Sequence, residues 1–228
     1  GMKLAIIGAA GKTGTALVYE ALARGHQVNA LCRSASAGKL TGLADSPGFT
    51  LITATSVIDA SALQQALSDA DAALVILIAV HDLKASALVA ALADASAATG
   101  CRRVVFTAGE ITAIPGQDER QTLRQRMMLA VFGPLMALTP YSLRDMRDAS
   151  RRIQQIDWDW TIIRAPTLID AAPAGYRLGA LDAVRGADRL ARADYAACLI
   201  DSVAEPGHHR RLLTVLPAAQ TGGPAPPR

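Results

Sequence analysis

The sequence predicts an α/β protein built on a doubly wound, mostly parallel sheet with helices on both faces. Short apolar runs that resemble strands alternate along the chain with longer amphipathic or alanine-rich segments that resemble helices. The run over residues 72–80 is apolar throughout, which is typical of a central parallel strand buried on both faces. With 228 residues and 51% apolar content, the chain is long enough to form one sizeable core.

The alternation assigns an element to most of the chain. We place strands at residues 4–7, 26–33, 49–53, 72–80, 103–107, 160–163 and 212–216. We place helices at residues 15–24, 60–67 with Asp59 as the cap, 83–99, 120–138, 141–155 and 191–203. The Gly133–Pro134 pair is expected to interrupt the fourth of these helices.

The remaining segments carry little periodicity. Residues 35–48 are expected to hold at most one short helix, near 37–44, and residues 167–190 to be irregular apart from an extended piece near 176–178. We expect one domain over residues 2–217, with a small part from about 164 to 217 that covers the substrate. The Gly/Pro-rich tail, residues 218–228, is expected to be disordered.

Three glycines recur at a spacing of three directly after the first strand: Gly8, Gly11 and Gly14. This strand–turn–helix context is the one that a Rossmann-type dinucleotide site requires. The first glycine permits a sharp turn, the second a close approach to pyrophosphate, and the third close packing of helix on strand, while the helix N-terminus attracts phosphate. A glycine-rich turn without a ligand is the alternative. We predict cofactor contacts from Gly8, Ala10, Gly11, Lys12, Thr13 and Gly14.

The end of the second strand bears on the choice of cofactor. NAD-preferring sites usually place Asp or Glu there for the ribose 2′-hydroxyl, whereas this chain has Cys32, Arg33 and Ser34. A guanidinium suits a 2′-phosphate because it can donate bidentate, charge-assisted hydrogen bonds. We therefore favour NADP(H) over NAD(H), with Arg33 and Ser34 as contacts; a solvated surface arginine is the alternative.

Composition excludes several classes of function. A formal net charge of +3 is small and dispersed, which argues against nucleic acid as a partner, and the basic stretch over residues 144–152 is interleaved with aspartates as on a solvated helix face. The three cysteines are far apart and show no metal-ligand spacing, so we expect free thiols, a cytoplasmic location and no metal site. The longest apolar run is too short to span a bilayer, and we expect no membrane association.

With these residues assembled, the chain resembles the atypical short-chain dehydrogenases/reductases, in particular the NAD(P)H-binding group of NmrA-like proteins and biliverdin reductase B-type flavin reductases. The resemblance is carried by residues 8–14, 28–33, 59–63, 157–166, 174–177 and 191–194. It implies a Rossmann-type fold and a cofactor contact near the adenine from Ser56, where the family usually has Asp. Two further departures are Ala165 in the Arg164–Ala165–Pro166 run and His81, where the family often has a small residue.

Ligands of a doubly wound sheet lie where its strands end. We therefore also predict cofactor contacts from Ser56, Val57, Ile78, Ala79, Thr107 and Ala108. The same edge supplies the candidates for catalysis, which are Thr107, Tyr141 and His81. Each has a plainer alternative: a strand-end threonine bonded to local backbone, a packed tyrosine, and a solvent-facing loop histidine. Asp194 matches a family position, and a helix-cap or structural role is favoured for it.

Ordinary short-chain dehydrogenases use a tyrosine with a lysine four residues later, which lowers the tyrosine pKa for proton transfer. No tyrosine of this chain has such a lysine, and no lysine follows Lys84. We therefore expect an NADPH-dependent reductase of a flavin, quinone or similar planar acceptor, whose protonation solvent can complete. A non-catalytic NADP(H)-binding sensor that signals to a regulatory protein partner is the alternative, and an NAD-dependent epimerase or dehydratase is a weaker one. The oligomeric state, monomer or homodimer, stays open, since residues 83–99 and 127–132 suit either a core or an interface.

Overall fold

An eight-stranded sheet with helices on both faces organises the chain. The structure is a computed structural model that describes residues 1–77, 83–112, 119–136, 138 and 142–219. The strands are β1 Lys3–Ile7, β2 Gln27–Arg33, β3 Phe49–Ala54, β4 Ala72–Val75, β5 Arg103–Gly109, β6 Asp159–Ala165, β7 Thr167–Ile169, β8 Tyr176–Gly179, β9 Arg189–Ala191 and β10 Arg211–Pro217. The helices are α1 Lys12–Ala23, α2 Ala60–Leu67, α3 Ala85–Thr99, α4 Leu123–Met136, α5 Leu143–Gln155 and α6 Arg192–Val203.

The strand order places a ligand crevice at the middle of the sheet. The order is β3-β2-β1-β4-β5-β6-β10-β8, and every pair is parallel except β10 with β8. From β1 the chain proceeds outward through β2 and β3, and then returns to the other side of β1 as β4. A doubly wound sheet binds its ligand where this order reverses, at the carboxyl ends of β1 and β4. The fold class predicted from the sequence is confirmed.

Alternation along β1 assigns each face of the sheet to its own helices. Leu4 and Ile6 belong to the apolar cluster that includes residues of α1 and α6. Ala5 and Ile7 belong to the cluster that includes residues of α2, α3 and α5. Because successive side chains of a strand point to opposite faces, a central strand buried on both faces is apolar at every position, as β1 and β4 are.

The N-terminus of α3 is capped by a side chain of another helix, α5. Its N-cap residue, Lys84, makes no side-chain capping bond. The carboxylate of Asp145, on α5, instead accepts the N–H of Ala85 at 2.6 Å and that of Ser86 at 3.3 Å, together with the Ser86 hydroxyl. A carboxylate at a helix N-terminus satisfies free N–H groups and complements the helix dipole. Asp145 therefore does more than balance the arginines of a solvated helix face.

Three sequence predictions are wrong in detail. Helix α4 continues through Gly133 and Pro134 and ends two residues later, at Met136, so the proline costs the helix one backbone hydrogen bond without ending it at residue 133. The segment after β2 forms two short 3-10 turns, Ser34–Lys39 and Thr41–Leu43, in place of one short helix. Residues 167–190, expected to be largely irregular, contain β7 and β9, which pair in parallel.

The predicted strand over residues 72–80 is shorter in the structure. Strand β4 ends at Val75, while residues 78–80 lie outside the described residues. At the other end of the chain, strand β10 joins the main sheet, and the N–H of Ala218 donates to the carbonyl of Gly175 at 3.1 Å. The rest of the predicted tail, residues 220–228, lies outside the described residues. Within the described part of the chain, every helix is too short or too polar to cross a lipid bilayer.

Candidate functional site: a dinucleotide cleft

The three motif glycines meet three different geometric demands. Gly8 has φ +87°, a left-handed conformation that strains residues with a Cβ, and its N–H donates to the carbonyl of Leu31 on the neighbouring strand at 3.0 Å. A Cβ on Gly14 would lie 2.2 Å from the Gly8 oxygen and 2.8 Å from the Cα of Ala9. A Cβ on Gly11 would have only the Gly8 oxygen near it, at 3.8 Å. Gly8 and Gly14 are therefore required by the fold, whereas Gly11 keeps space free.

That free space lies at the N-terminus of α1. Gly11 is the N-cap residue, so no side chain caps the helix, and its first turn contains no acidic residue. The N–H groups of Lys12, Thr13 and Gly14 precede the first i→i−4 bond, which the N–H of Thr15 donates to the Gly11 carbonyl at 2.8 Å. Free N–H groups and the positive end of the helix dipole make this turn an anion site.

A cleft of about 460 Å³ extends from this turn across the carboxyl ends of the strands. Its glycine end is formed by Gly8, Ala10 and Gly11. The remaining described residues that line it are Ile7, Cys32, Arg33, Ser36, Lys39, Thr55, Ser56, Val57, Ile58, Ile76, Leu83 and Leu88. The cleft is therefore polar and backbone-rich at one end, cationic at another, and apolar along its floor.

The cationic end is built by a turn whose period is three. Residues Ser34–Lys39 form a 3-10 helix with Arg33 as its N-cap residue. Because this helix has three residues per turn, side chains three apart stand above one another. Arg33, Ser36 and Lys39 have that spacing, and all three line the cleft. Ser34, by contrast, is exposed and is not among the lining residues. Sequence reasoning missed Ser36 and Lys39, because their spacing is informative only once the segment is known to be a 3-10 helix.

The next stretch of the cleft wall follows β3. Thr55, Ser56 and Val57 line it together with Ile58. The Ser56 hydroxyl accepts the N–H of Ile58 at 3.4 Å, and Val57 is buried, with 8% of its surface exposed. Ser56 thus brings a neutral hydrogen-bonding group to the position where the resembled family usually carries a carboxylate.

The ends of β4 and β5 are tied together by side chains. The Thr107 hydroxyl oxygen accepts the N–H of Leu77 at 3.0 Å, and Thr107 is 8% exposed. The N–H of Ala108 donates to the Tyr195 hydroxyl at 3.3 Å, and that hydroxyl donates to the Ile163 carbonyl at 2.6 Å. These bonds fix the carboxyl ends of two central strands, beside which a doubly wound sheet binds its ligand. They also engage the Thr107 oxygen in a structural bond.

A family model decides the class of protein. The model described as NAD(P)H-binding matches residues 8–206, which is most of the chain and includes every described part of the cleft from Gly8 onward. The chain belongs to this NAD(P)H-binding family. The family-level resemblance drawn from the sequence is thereby confirmed. No curated protein sequence matches the chain.

Solved structures with the same fold are distant in sequence. A wide-type short-chain dehydrogenase/reductase of Veillonella parvula DSM 2008, in complex with NADP, has a TM-score of 0.73 at 17% identity, covering 97% of this chain and 95% of that one. ChuY, an anaerobilin reductase of Escherichia coli O157:H7, has a TM-score of 0.72 at 20% identity, covering 97% and 100%. An epimerase-like protein of Bacteroides thetaiotaomicron has a TM-score of 0.72 at 21% identity, covering 96% and 98%. At these identities the likeness establishes the fold alone.

Two of the three described tyrosines of this NAD(P)H-binding protein are hydrogen-bonded within the fold, and the third, Tyr19, is exposed on α1. Tyr195 is 2% exposed, and burial raises its pKa. Tyr176 donates to the carboxylate of Asp201, and burial, followed by that hydrogen bond, raises the pKa of its phenol. A raised pKa disfavours the phenolate that a proton relay needs. Three of the predicted site residues beyond β4, namely Ile78, Ala79 and His81, and the candidate Tyr141 lie outside the described residues.

Two polar residues carried by the resemblance have structural partners. Arg164, at the end of β6, is 2% exposed, forms an ion pair with Glu119, and donates to the Thr112 carbonyl at 2.6 Å. Asp194, in the first turn of α6, accepts the N–H groups of Ala174 and Gly175 at 2.8 and 3.0 Å. The arginine anchors the segment after β5, and the aspartate anchors the segment before β8. Among the described residues, no group of three or more His, Cys, Asp or Glu could hold a metal ion.

Proposed function

We propose that this chain is an NADPH-dependent reductase whose acceptor is a flavin, quinone or similar planar molecule. The observation that carries the proposal is the cleft, with an uncapped helix N-terminus at one end and Arg33, Ser36 and Lys39 at the other. The first end suits a pyrophosphate and the second a 2′-phosphate. The Gly11 position also fits a dinucleotide, since a Cβ there would enter space that the fold itself leaves open.

A planar acceptor is proposed because the sequence has no tyrosine–lysine pair for proton transfer. The described ends of β4 and β5 offer apolar or backbone-bonded groups, such as Ile76, Leu77 and Thr107, and the sequence contains no tyrosine–lysine pair. A bound NADPH supplies the hydride. A flavin or quinone takes it up with a proton from solvent, so the chain needs to orient the acceptor and to exclude competing reactions. The NADP complex of the Veillonella protein and the reductase activity named for the Escherichia protein support this assignment.

The activity test is NADPH oxidation followed by absorbance at a saturating concentration of each acceptor in a panel of flavins and quinones. We expect turnover with NADPH, and slower turnover with NADH at equal concentration. The Gly11→Val variant serves as the blank for direct chemical reduction of the acceptor. Tight binding of NADPH without turnover of any acceptor would contradict the reductase and favour a cofactor-binding sensor with a protein partner. That second candidate is supported by the absent tyrosine–lysine pair.

Replacing Arg33 with alanine tests the preference for NADP(H). We expect the Kd for NADPH to rise roughly 10- to 100-fold, because one charge-assisted bond contributes about 1.5–3 kcal/mol. The Kd for NADH should change less than about threefold. Lys39→Ala should give a smaller loss of the same sign, since Lys39 is exposed. The matched control is Arg102→Ala, which removes the same charge beside the amino end of β5. Equal losses for both cofactors in Arg33→Ala would contradict a 2′-phosphate contact.

A further inference from the structure

Helix α4 is apolar after its first turn and exposes much of that apolar surface. Residues 127–138 contain no charged side chain and no polar one. Gln125 is the only residue of α4 that is buried among those described, and its amide donates to Glu110 and to the Leu181 carbonyl. The first turn of α4 is thus fixed to the protein body. In the rest of the helix, Met127, Val131, Phe132 and Leu135 are exposed, and Met128, Leu129 and Met136 are half-buried. A helix with apolar side chains all round is normally a buried one.

The exposed side chains form a continuous stripe along the helix. Five of the large apolar side chains that the structure exposes lie on α4: Leu123 (66%), Met127 (58%), Val131 (61%), Phe132 (48%) and Leu135 (62%). Positions 123, 127, 131 and 135 are four residues apart, the spacing of a ridge that packs into the groove of another helix. We call these five residues the α4 stripe. Contiguous exposed apolar surface of this kind marks an interaction site.

The distribution of charge favours an antiparallel copy of the same helix as the occupant. The cations of α4, Arg124 and Arg126, lie in its first turn, where the positive end of the dipole disfavours them. Arg124 is neutralised by Glu110. In an antiparallel pair, Arg126 of each copy would lie beside the C-terminal end of the other helix. That end is the negative end of the helix dipole and has no charged side chain. The two Arg126 side chains would then be separated by much of a helix length, so like charges do not meet.

We propose that the α4 stripe is a two-fold interface between two copies of this chain, with the axis near Val131. About that axis, Val131 faces Val131 of the second copy, and Met127 faces its Leu135. A stripe with this internal symmetry is complementary to itself, as a two-fold interface must be.

The size of the stripe predicts a moderate affinity. Helix α4 has 14 residues, which span about 21 Å, and a helix is about 10 Å wide, so the stripe alone covers less than the ~800 Å² per partner of a standard interface. We therefore expect a reversible dimer whose population depends on concentration, measurable by sedimentation velocity between about 1 and 200 μM. A chain that stays monomeric throughout this range would overturn the proposal. So would an unchanged dimer in Leu135→Glu, which we expect to raise the dimer dissociation constant at least tenfold.

A symmetric disulfide tests the register of the interface. Facing helices with axes 8–10 Å apart bring residues at a two-fold axis within the Cα separation that a disulfide permits. We expect Val131→Cys to yield at least ten times more oxidised dimer than the matched control Tyr19→Cys, whose side chain is 55% exposed on α1. Background is low because Cys32, Cys101 and Cys198 are buried. Equal crosslinking in the two variants would overturn the two-fold register.

A membrane surface is the alternative occupant of the α4 stripe, and flotation with vesicles of mixed neutral and anionic lipid tests it. We expect the wild-type chain to stay with the unbound protein in the presence of vesicles. Flotation that Leu135→Glu abolishes, in a chain that forms no dimer, would assign the α4 stripe to lipid and overturn the proposal. Because Val131, Leu135 and Tyr19 are all exposed, none of these substitutions removes a core contact, and melting curves check that each variant is folded. The tests of the interface use neither cofactor nor acceptor, so their results do not depend on the reductase assignment.

Discussion

Replacing Gly11 with valine is expected to weaken the binding of NADPH and of NADH at least 100-fold while leaving the chain folded. The backbone of Gly11 is extended, with φ −71° and ψ 170°, so valine fits without strain. Its Cβ would meet only the Gly8 oxygen, at 3.8 Å, in the protein itself. The same side chain would occupy the approach of a pyrophosphate to the N-terminus of α1. Isothermal titration with both cofactors measures the loss.

Gly14→Val is the contrasting variant. There a Cβ would lie 2.2 Å from the Gly8 oxygen and 2.8 Å from the Cα of Ala9, which are backbone atoms that cannot move without separating α1 from β1. We expect Gly14→Val to lose folded protein, and the melting temperature of Gly11→Val to remain within about 2 °C of the wild type. Unchanged affinity in a folded Gly11→Val would rule out pyrophosphate binding at this turn.

Replacing Arg103 with alanine is expected to reduce the free energy of unfolding by about 3–5 kcal/mol. Arg103 is 8% exposed, and its guanidinium donates to the carbonyls of Val203 at 2.9 Å, Asp159 at 2.6 Å and Ser202 at 2.5 Å. It thereby joins the end of α6 to β5 and β6. Burial lowers the pKa of this guanidinium to about 10, which leaves it protonated at neutral pH. Alanine would leave these carbonyls without their donor and open a cavity.

Chemical denaturation measures the effect, and the neighbouring arginine supplies the control. Arg102 has an exposed side chain that pairs with Asp157 at the surface, so Arg102→Ala should change stability by less than about 1 kcal/mol. Arg103→Lys should recover little, because one ammonium group cannot reproduce three directed bonds from a planar fork. A loss below about 1 kcal/mol in Arg103→Ala would show that water satisfies the freed carbonyls.

The glycine turn and the helix it opens were predictable because their determinants are local. A glycine spacing of three between an apolar run and an amphipathic segment constrains the backbone within about a dozen residues. The same holds for Asp59, whose side chain accepts the N–H of Ala62 at 2.8 Å and caps α2 as expected. By contrast, β7 and β9 have three residues each, too few for any period to show.

The candidate site also contains some residues that the sequence could predict and others that only the structure shows. Arg33 could be singled out because it ends a strand, but Ser36 and Lys39 join it in the cleft only through a 3-10 turn that the sequence did not indicate. From the sequence, Thr107 could either contact a ligand or bond to backbone. The structure shows its oxygen accepting the N–H of Leu77, thirty positions away in the chain. A strand-end threonine has the same sequence whether it faces a ligand or a neighbouring strand.

By itself, the sequence determined the class of this protein: an α/β chain with a dinucleotide turn and without the usual proton-relay pair. Those features depend on residue type and short spacing, which the chain carries in full. Only the tertiary structure showed that Asp145 caps a helix sixty residues away, that Arg103 binds carbonyls a hundred residues away, and that α4 leaves much of its apolar surface exposed. Each of these depends on which surfaces meet when the sheet assembles, and local periodicity holds no information about contacts between distant segments.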